Sequence, residues 1–258
     1  MNNSELKEKL EAHYKNYRKK FSSKDPVWIL HRFSDERDIE LIGLVTAAYA
    51  YGSVEMINSF INLLLRKTGN KPYEFTINFS KRKDKKHLSG LYYRFNSYND
   101  LLDMFSALKN ALVKYGSLKN LFLSHIKRSD RNIIPALTGF TSELNKNIPV
   151  FSDRYYHYLF SNPANRSTCK RMNLYLRWMV RSDEIDTGLW KEIDASKLVM
   201  PVDTHIAKIS KALKLTERKT IDLKFALELT EKLKQFDPRD PVKYDFALCH
   251  IGIDKKEF

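Results

Sequence analysis

Apolar residues in this chain recur at the spacing of a helix surface and almost nowhere at the spacing of a strand. Leu6, Leu10, Tyr14 and Tyr17 fall on one stripe, and Ser53, Ser97 and Asp222 each stand as a capping residue ahead of an apolar periodic run. Alternation of apolar and polar residues over several positions is nearly missing, and the eight Gly and eight Pro are spread thinly through the connections. The pattern predicts an all-α protein with helices over 4–21, 35–51, 54–68, 98–114, 117–126, 131–145, 153–160, 167–181, 204–214, 222–235 and 241–252. No internal repeat or low-complexity linker divides it, so a single domain over 1–258 is expected, with any lobes interleaved along the chain.

A chain of 258 residues with 43% hydrophobic content buries a sizeable core, which excludes disorder. The 45 Lys+Arg exceed the 31 Asp+Glu to give a formal charge of +14, and that excess favours a polyanionic partner, nucleic acid first. No signal-peptide-like apolar region opens the chain, and the weakly polar stretch Leu41 to Tyr51 is too short for a membrane span. A cytoplasmic protein with no membrane partner is expected, and 41–51 is read as a buried helix. Two cysteines, Cys169 and Cys249, cannot supply a disulfide framework, a four-cysteine zinc site or a four-cysteine iron–sulfur cluster. The run from Lys81 to His87 has few apolar anchors and reads as a solvated loop or helix end, with phosphate contact as the alternative.

Chemistry concentrates between Ser161 and Lys214. One helix presents Met172, Leu176, Met179 and Val180 at helical spacing, with Ser167 as its expected N-cap, leaving Lys170, Arg171, Arg177 and Arg181 for other faces. A lysine in the first turn of a helix opposes the helix dipole. That position has a use, since an amine attacks only when neutral, and neighbouring cations such as Arg166 and Arg171 favour the neutral form. A solvated basic face is the plainer reading of the same residues. Further on, Pro201-Val202-Asp203-Thr204-His205-Ile206 places an aspartate as N-cap of a second helix. There its carboxylate is rigid and able to stabilise a developing cation, although capping alone would explain it.

The string Pro201-Val202-Asp203-Thr204-His205-Ile206 resembles the catalytic-aspartate motif of the helix-hairpin-helix DNA glycosylases, close to the VDTHI of endonuclease III and the PVD of the 8-oxoguanine glycosylases. Lys170-Arg171-Met172-Asn173-Leu174-Tyr175-Leu176 resembles the KTANVVL helix start of endonuclease III at the lysine, the asparagine and the last leucine. Two departures shift the resemblance. Asn162-Pro163-Ala164-Asn165-Arg166-Ser167-Thr168 holds no glycine where the hairpin signature Leu-Pro-Gly-Val-Gly would stand, and Ser182 to Trp190 lengthens the connection from Lys170 to Asp203. The chain is similar in both respects to the archaeal 8-oxoguanine DNA glycosylases, and in the CKRMNLYLRWMVR helix to a bacterial family of like sequence.

That resemblance implies a two-lobed helix-hairpin-helix fold with a cleft between lobes, acting as a monomer on double-stranded DNA that contains a damaged base. It implies base-excision repair by a bifunctional DNA glycosylase and AP lyase, with Lys170 as Schiff-base nucleophile, Asp203 as stabiliser of the oxocarbenium ion, and no cofactor or metal. Arg166, Ser167, Arg171, Arg177 and His205 are then expected at the DNA, where a nucleoid association would follow. Asp245 resembles the reader of an oxidised purine's extra N–H, with Cys249 a helical turn later as its packing partner. Trp178, Trp190 and the Tyr92-Tyr93-Arg94-Phe95 cluster are candidates for stacking on bases, with burial in the core as the commoner fate of such residues. Small residues Ala47, Ala48, Ala50 and Gly52 allow close backbone approach or tight helix packing. A monofunctional glycosylase for another lesion, and an inactive nucleic-acid-binding protein on the same scaffold, are the alternatives.

Overall fold

A computed structural model describes residues 2–17, 24–146, 156–246 and 248–249. Among the described residues the helices are α1 (Asn3–Tyr17), α2 (Glu36–Ala48), α3 (Val54–Lys67), α4 (Pro72–Asn78), α5 (Lys81–Leu88), α6 (Tyr98–Tyr115), α7 (Leu118–Leu123), α8 (Ile134–Asn145), α9 (Tyr156–Leu159), α10 (Lys170–Val180), α11 (Thr204–Ala212) and α12 (Leu223–Lys234). Three short 3-10 helices join them at Pro26–Arg32, Pro163–Asn165 and Ala195–Lys197. The protein is all-α: no strand forms among the described residues, only two isolated bridges, Tyr93 to Asn96 and Ser182 to Thr187. No described helix is long and apolar enough to cross a membrane.

The chain divides into two compact units, each discontinuous in sequence. One, here the middle unit, comprises Lys24–Asp130 and Pro135–Asn162; the other, the outer unit, comprises Met1–Ser23, Arg131–Ile134 and Pro163–Phe258.

The middle unit is built on α2, which is buried from Ile39 to Ala48 and contacts the Pro26–Arg32 turn, α4 and α7. Its own carboxylates start the neighbouring helices. Glu40, 7% exposed, accepts from the Leu118 and Lys119 amides at 2.9 and 2.8 Å, and Asp38 accepts from the Tyr73 amide at 2.8 Å. Each satisfies orphan N–H groups at a helix start and places negative charge at the positive end of a dipole. Of the small residues here, Ala47 and Ala48 close α2 and Ala50 follows just past its end, and all three are buried.

Two helices here escape the periodicity reading. The run Lys81 to His87 lies in α5, where Leu88 alone is buried; the Ser80 amide donates to Asp84 Oδ2 at 2.7 Å across the first turn, and lysine's long stem fits a helix well. α4 starts on Pro72, whose missing N–H costs nothing at a helix N-terminus.

In the outer unit α10 is the core. Met172, Tyr175, Leu176, Trp178 and Met179 are all fully buried, and Phe225, Leu229 and Leu233 of α12 are buried as completely. α1 buries Leu6 and Leu10. The helix expected from 167 begins only at Lys170, because Cys169 takes a left-handed conformation (φ 49°) that no α-helix admits. Within the helix expected over 241–252, residues 241–244 form a turn and the described residues 245–246 and 248–249 are helical. Positions 18–21, 153–155, 247 and 250–252 of the expected helices lie outside the described residues.

Candidate active site

Lys170 and Asp203 meet in the outer unit. Lys170 opens α10, Asp203 caps α11, and Lys170 Nζ lies 3.5 Å from Asp203 Oδ2. Their side chains are 31% and 22% exposed, so the pair is open to a ligand while both stems are held. Asp203 divides its oxygens between two tasks. Oδ1 accepts from the His205 and Ile206 amides, each at 2.9 Å, which caps α11 and fixes the carboxylate; Oδ2 is left facing the lysine.

The meeting is set by the turn ahead of α10. Asn173, 1% exposed, donates from its side-chain amide to the Thr168 carbonyl at 2.9 Å, and the Thr168 hydroxyl donates to the Val202 carbonyl at 3.2 Å. Thr168 is thereby tied at once to the helix that carries the lysine and to the residue that precedes the aspartate. Neither Thr168 nor the role of Asn173 was among the expected site residues, although the asparagine lies in the motif that pointed to Lys170. The hairpin's missing glycines are replaced by non-glycine residues in left-handed conformations, Arg166 (φ 60°) and Cys169 (φ 49°). Ser167 is not the helix cap; its hydroxyl oxygen accepts from the Cys169 amide at 3.1 Å and stabilises the turn instead. The Arg166 carbonyl in turn accepts from the Leu223 amide at 2.9 Å, which anchors the turn to the start of α12.

Several expected contacts with DNA or base lie in the interior. Arg171 is 6% exposed and Arg177 2%, because α10 is surrounded on all sides and has no solvent face for them. Arg177 pairs with Asp186 at 3.1 Å and with Asp245 by a short contact. Asp245, only 4% exposed, is therefore committed to an arginine, and its reading as the reader of a base is corrected. Cys249 is half-buried, and neither cysteine forms a disulfide. Trp178 and Trp190 are 0% and 1% exposed, with Trp190 edge-on to Tyr175 at 5.3 Å; they are core residues, not stacking platforms. Arg166 and His205 remain on the surface, the first in the hairpin turn and the second in the first turn of α11.

The insertion between the two motifs explains the buried arginines. Arg181 meets Asp183 at 3.0 Å, Asp240 at 2.9 Å and Asp186 by a short contact, and Tyr14 of α1 donates to Asp183 at 3.2 Å. The loop also satisfies the C-terminal carbonyls of α10: that of Trp178 accepts from the Thr187 amide and hydroxyl at 2.9 and 2.8 Å, and that of Met179 from the Trp190 amide at 2.7 Å. Burial raises the carboxyls of Asp186 and Asp240 against the pull of Arg177 and Arg181. Asp245 is pushed up to about 6, first by burial and then by the negative charge of Asp203, with Arg177 and Lys170 opposing. Asp245 thus senses the candidate pair electrostatically without facing solvent.

Among the described residues no cluster of His, Cys, Asp and Glu is arranged to hold a metal ion. What the arrangement offers chemically is an amine beside a fixed carboxylate, at the partly open starts of two helices whose dipoles favour a negative ligand. Comparison with curated proteins and with solved structures returns no match in either case. Residues 25–254 match the model of the family described as "Protein of unknown function (DUF2400)", and the chain belongs to that family.

Proposed function

We propose that this protein is a DNA glycosylase with AP lyase activity, acting on a damaged base such as an oxidised purine. The observation that carries the reading is the 3.5 Å separation of Lys170 Nζ from Asp203 Oδ2, on two helix starts that resemble the glycosylase motifs and follow in the same order. An unrelated helical protein with chance motif matches would have no reason to bring these two side chains together.

Asp203 Oδ2 is in place to take a proton from the lysine ammonium, freeing the nitrogen lone pair. The amine then attacks C1′ of the deoxyribose while the glycosidic bond breaks, the electron pair of that bond leaving with the base together with the proton that Asp203 took from Lys170, so that Asp203 is a carboxylate again. The Asp203 carboxylate stabilises the positive charge that develops on the sugar. Opening of the sugar ring gives an imine between Lys170 and C1′. Loss of the C2′ proton then expels the 3′ phosphate, and hydrolysis of the imine returns the lysine. Extruding the base costs a few kcal/mol, less for a damaged or mismatched one. The protein's +14 charge supplies phosphate attraction toward that cost.

Incubation of the full chain with single-lesion duplexes under borohydride tests the proposal. The expected result is a covalent protein–DNA adduct on at least one lesion, lost in Lys170→Gln. No adduct across lesions and abasic sites would overturn the lyase step. Base release surviving in Lys170→Gln but not in Asp203→Asn would leave a monofunctional glycosylase.

A further inference from the structure

The middle unit carries a second cluster that the Lys170–Asp203 chemistry does not use. Residues 93–96 form a two-residue turn, with the Tyr93 amide donating to the Asn96 carbonyl at 2.8 Å and the Asn96 amide to the Tyr93 carbonyl at 2.9 Å. Arg94, in its first central position, has φ 55°, a conformation that favours glycine and costs an arginine about 1 kcal/mol. The turn is held by what lies under it. Tyr93, 3% exposed, donates its hydroxyl to the Tyr51 carbonyl, and the Tyr51 hydroxyl donates to Asn96 Oδ1 at 2.5 Å. Asn96 is 1% exposed.

On this clamp stand apolar rings open to solvent. Phe95 is 48% exposed and Tyr158 43%. The rings of Tyr51 and Phe95 are parallel to within 1° at a centroid distance of 6.3 Å, and Tyr158 stands edge-on to Tyr51 at 5.2 Å. The Arg94 guanidinium lies 5.5 Å from the Phe95 centroid and 5.9 Å from that of Tyr51. A rigid, strained turn that holds a phenylalanine and an arginine outward is what a contact surface requires; a folding role would bury the ring.

Charge decides what such a surface suits. Immediately before the turn, α5 exposes Arg82, Lys83, Lys85, Lys86 and His87 around a single acid, Asp84. Leu88, the last residue of α5, stands seven positions before Phe95, so this basic helix ends within about 25 Å of the rings. Flat rings with an arginine beside them, next to a dense run of cations, match a ligand with flat π-faces on a polyanionic backbone. We infer that Phe95 and Tyr158, set on Tyr51 and flanked by Arg94, form a stacking site for an unpaired nucleobase, with α5 holding the phosphates of the same strand. The site does not depend on Lys170 chemistry and stands or falls by itself.

Fluorescence anisotropy with labelled oligonucleotides tests it on the full chain carrying Lys170→Gln, which removes covalent chemistry. Phe95→Ala or Tyr158→Ala is expected to weaken binding to a single strand about 10-fold, and binding to a fully paired duplex much less. Phe95→Trp should restore single-strand affinity, whereas Phe95→Leu should behave as the alanine variant. Replacing Lys83, Lys85 and Lys86 by glutamine should weaken both ligands and lower the single-strand salt slope by about 2. Circular dichroism verifies that each variant is folded. Unchanged single-strand binding in Phe95→Ala, or wild-type binding by Phe95→Leu, would overturn the inference. So would a wild-type dimer that Phe95→Ala dissociates, which would make the surface an interface between copies of this chain.

Discussion

Asp203 shows how one side chain serves folding and chemistry through different atoms. Oδ1 caps α11 and Oδ2 faces Lys170. The two roles separate by mutation, because asparagine caps a helix about as well as aspartate but carries no charge. Asp203→Asn is therefore expected to leave the urea midpoint almost unmoved while abolishing base release. Asp203→Ala should abolish it too and also cost about 1 kcal/mol of stability. Equal stability loss in both variants would mean that the charge, not the cap, is what α11 needs. The aspartate was legible in the sequence because six consecutive residues define it. The tie that aims Lys170 at it was not, since the Thr168 hydroxyl reaches a carbonyl 34 positions away, and no local pattern records such a partner.

At the scale of elements, local strings were readable and long-range pairings were not. α10 and α11 follow from motifs within single segments, whereas α5 has one buried residue and hence no apolar stripe to detect. Arg177 and Arg181 look like a basic face in sequence, but their partners Asp245 and Asp240 stand 68 and 59 positions away. The loop that brings Asp183 and Asp186 to them depends on Gly188, which has φ 62°; a Cβ there would lie 2.6 Å from Ser182 Cβ and 2.9 Å from Ser182 Cα. Gly188→Ala is expected to destabilise by roughly 2 kcal/mol or more, combining left-handed strain with a clash that backbone must absorb. Gly69→Ala, at φ 69° with nothing within 4 Å of the new methyl, isolates the strain and should cost about 1 kcal/mol. Chemical denaturation of the two variants measures the difference, and equal losses would show that the loop has room to move.

For the whole molecule, charge is distributed against its own average. The formal net charge is +14, yet in the buried network of the outer unit two arginines face four carboxylates, those of Asp183, Asp186, Asp240 and Asp245. Asp245 lies on the buried side of that network, where burial first and the negative charge of Asp203 second raise its carboxyl from an ordinary 3.8 to about 6. A carboxyl raised in this way binds protons more tightly folded than unfolded. Its contribution to stability is thus complete below pH 3.8 and is lost as pH rises through 6. Asp245→Asn removes that titration while keeping the shape and an acceptor for Arg177. The stability of the wild type relative to this variant, from urea midpoints, is expected to fall between pH 4 and pH 7.5 by on the order of 2 kcal/mol. Parallel curves for the two proteins would show that Arg177 neutralises Asp245 fully. Because Lys170 and Asp203 act on the same carboxyl in opposite directions, Lys170→Gln should steepen the fall and Asp203→Asn flatten it, linking the candidate pair to the buried network through charge alone.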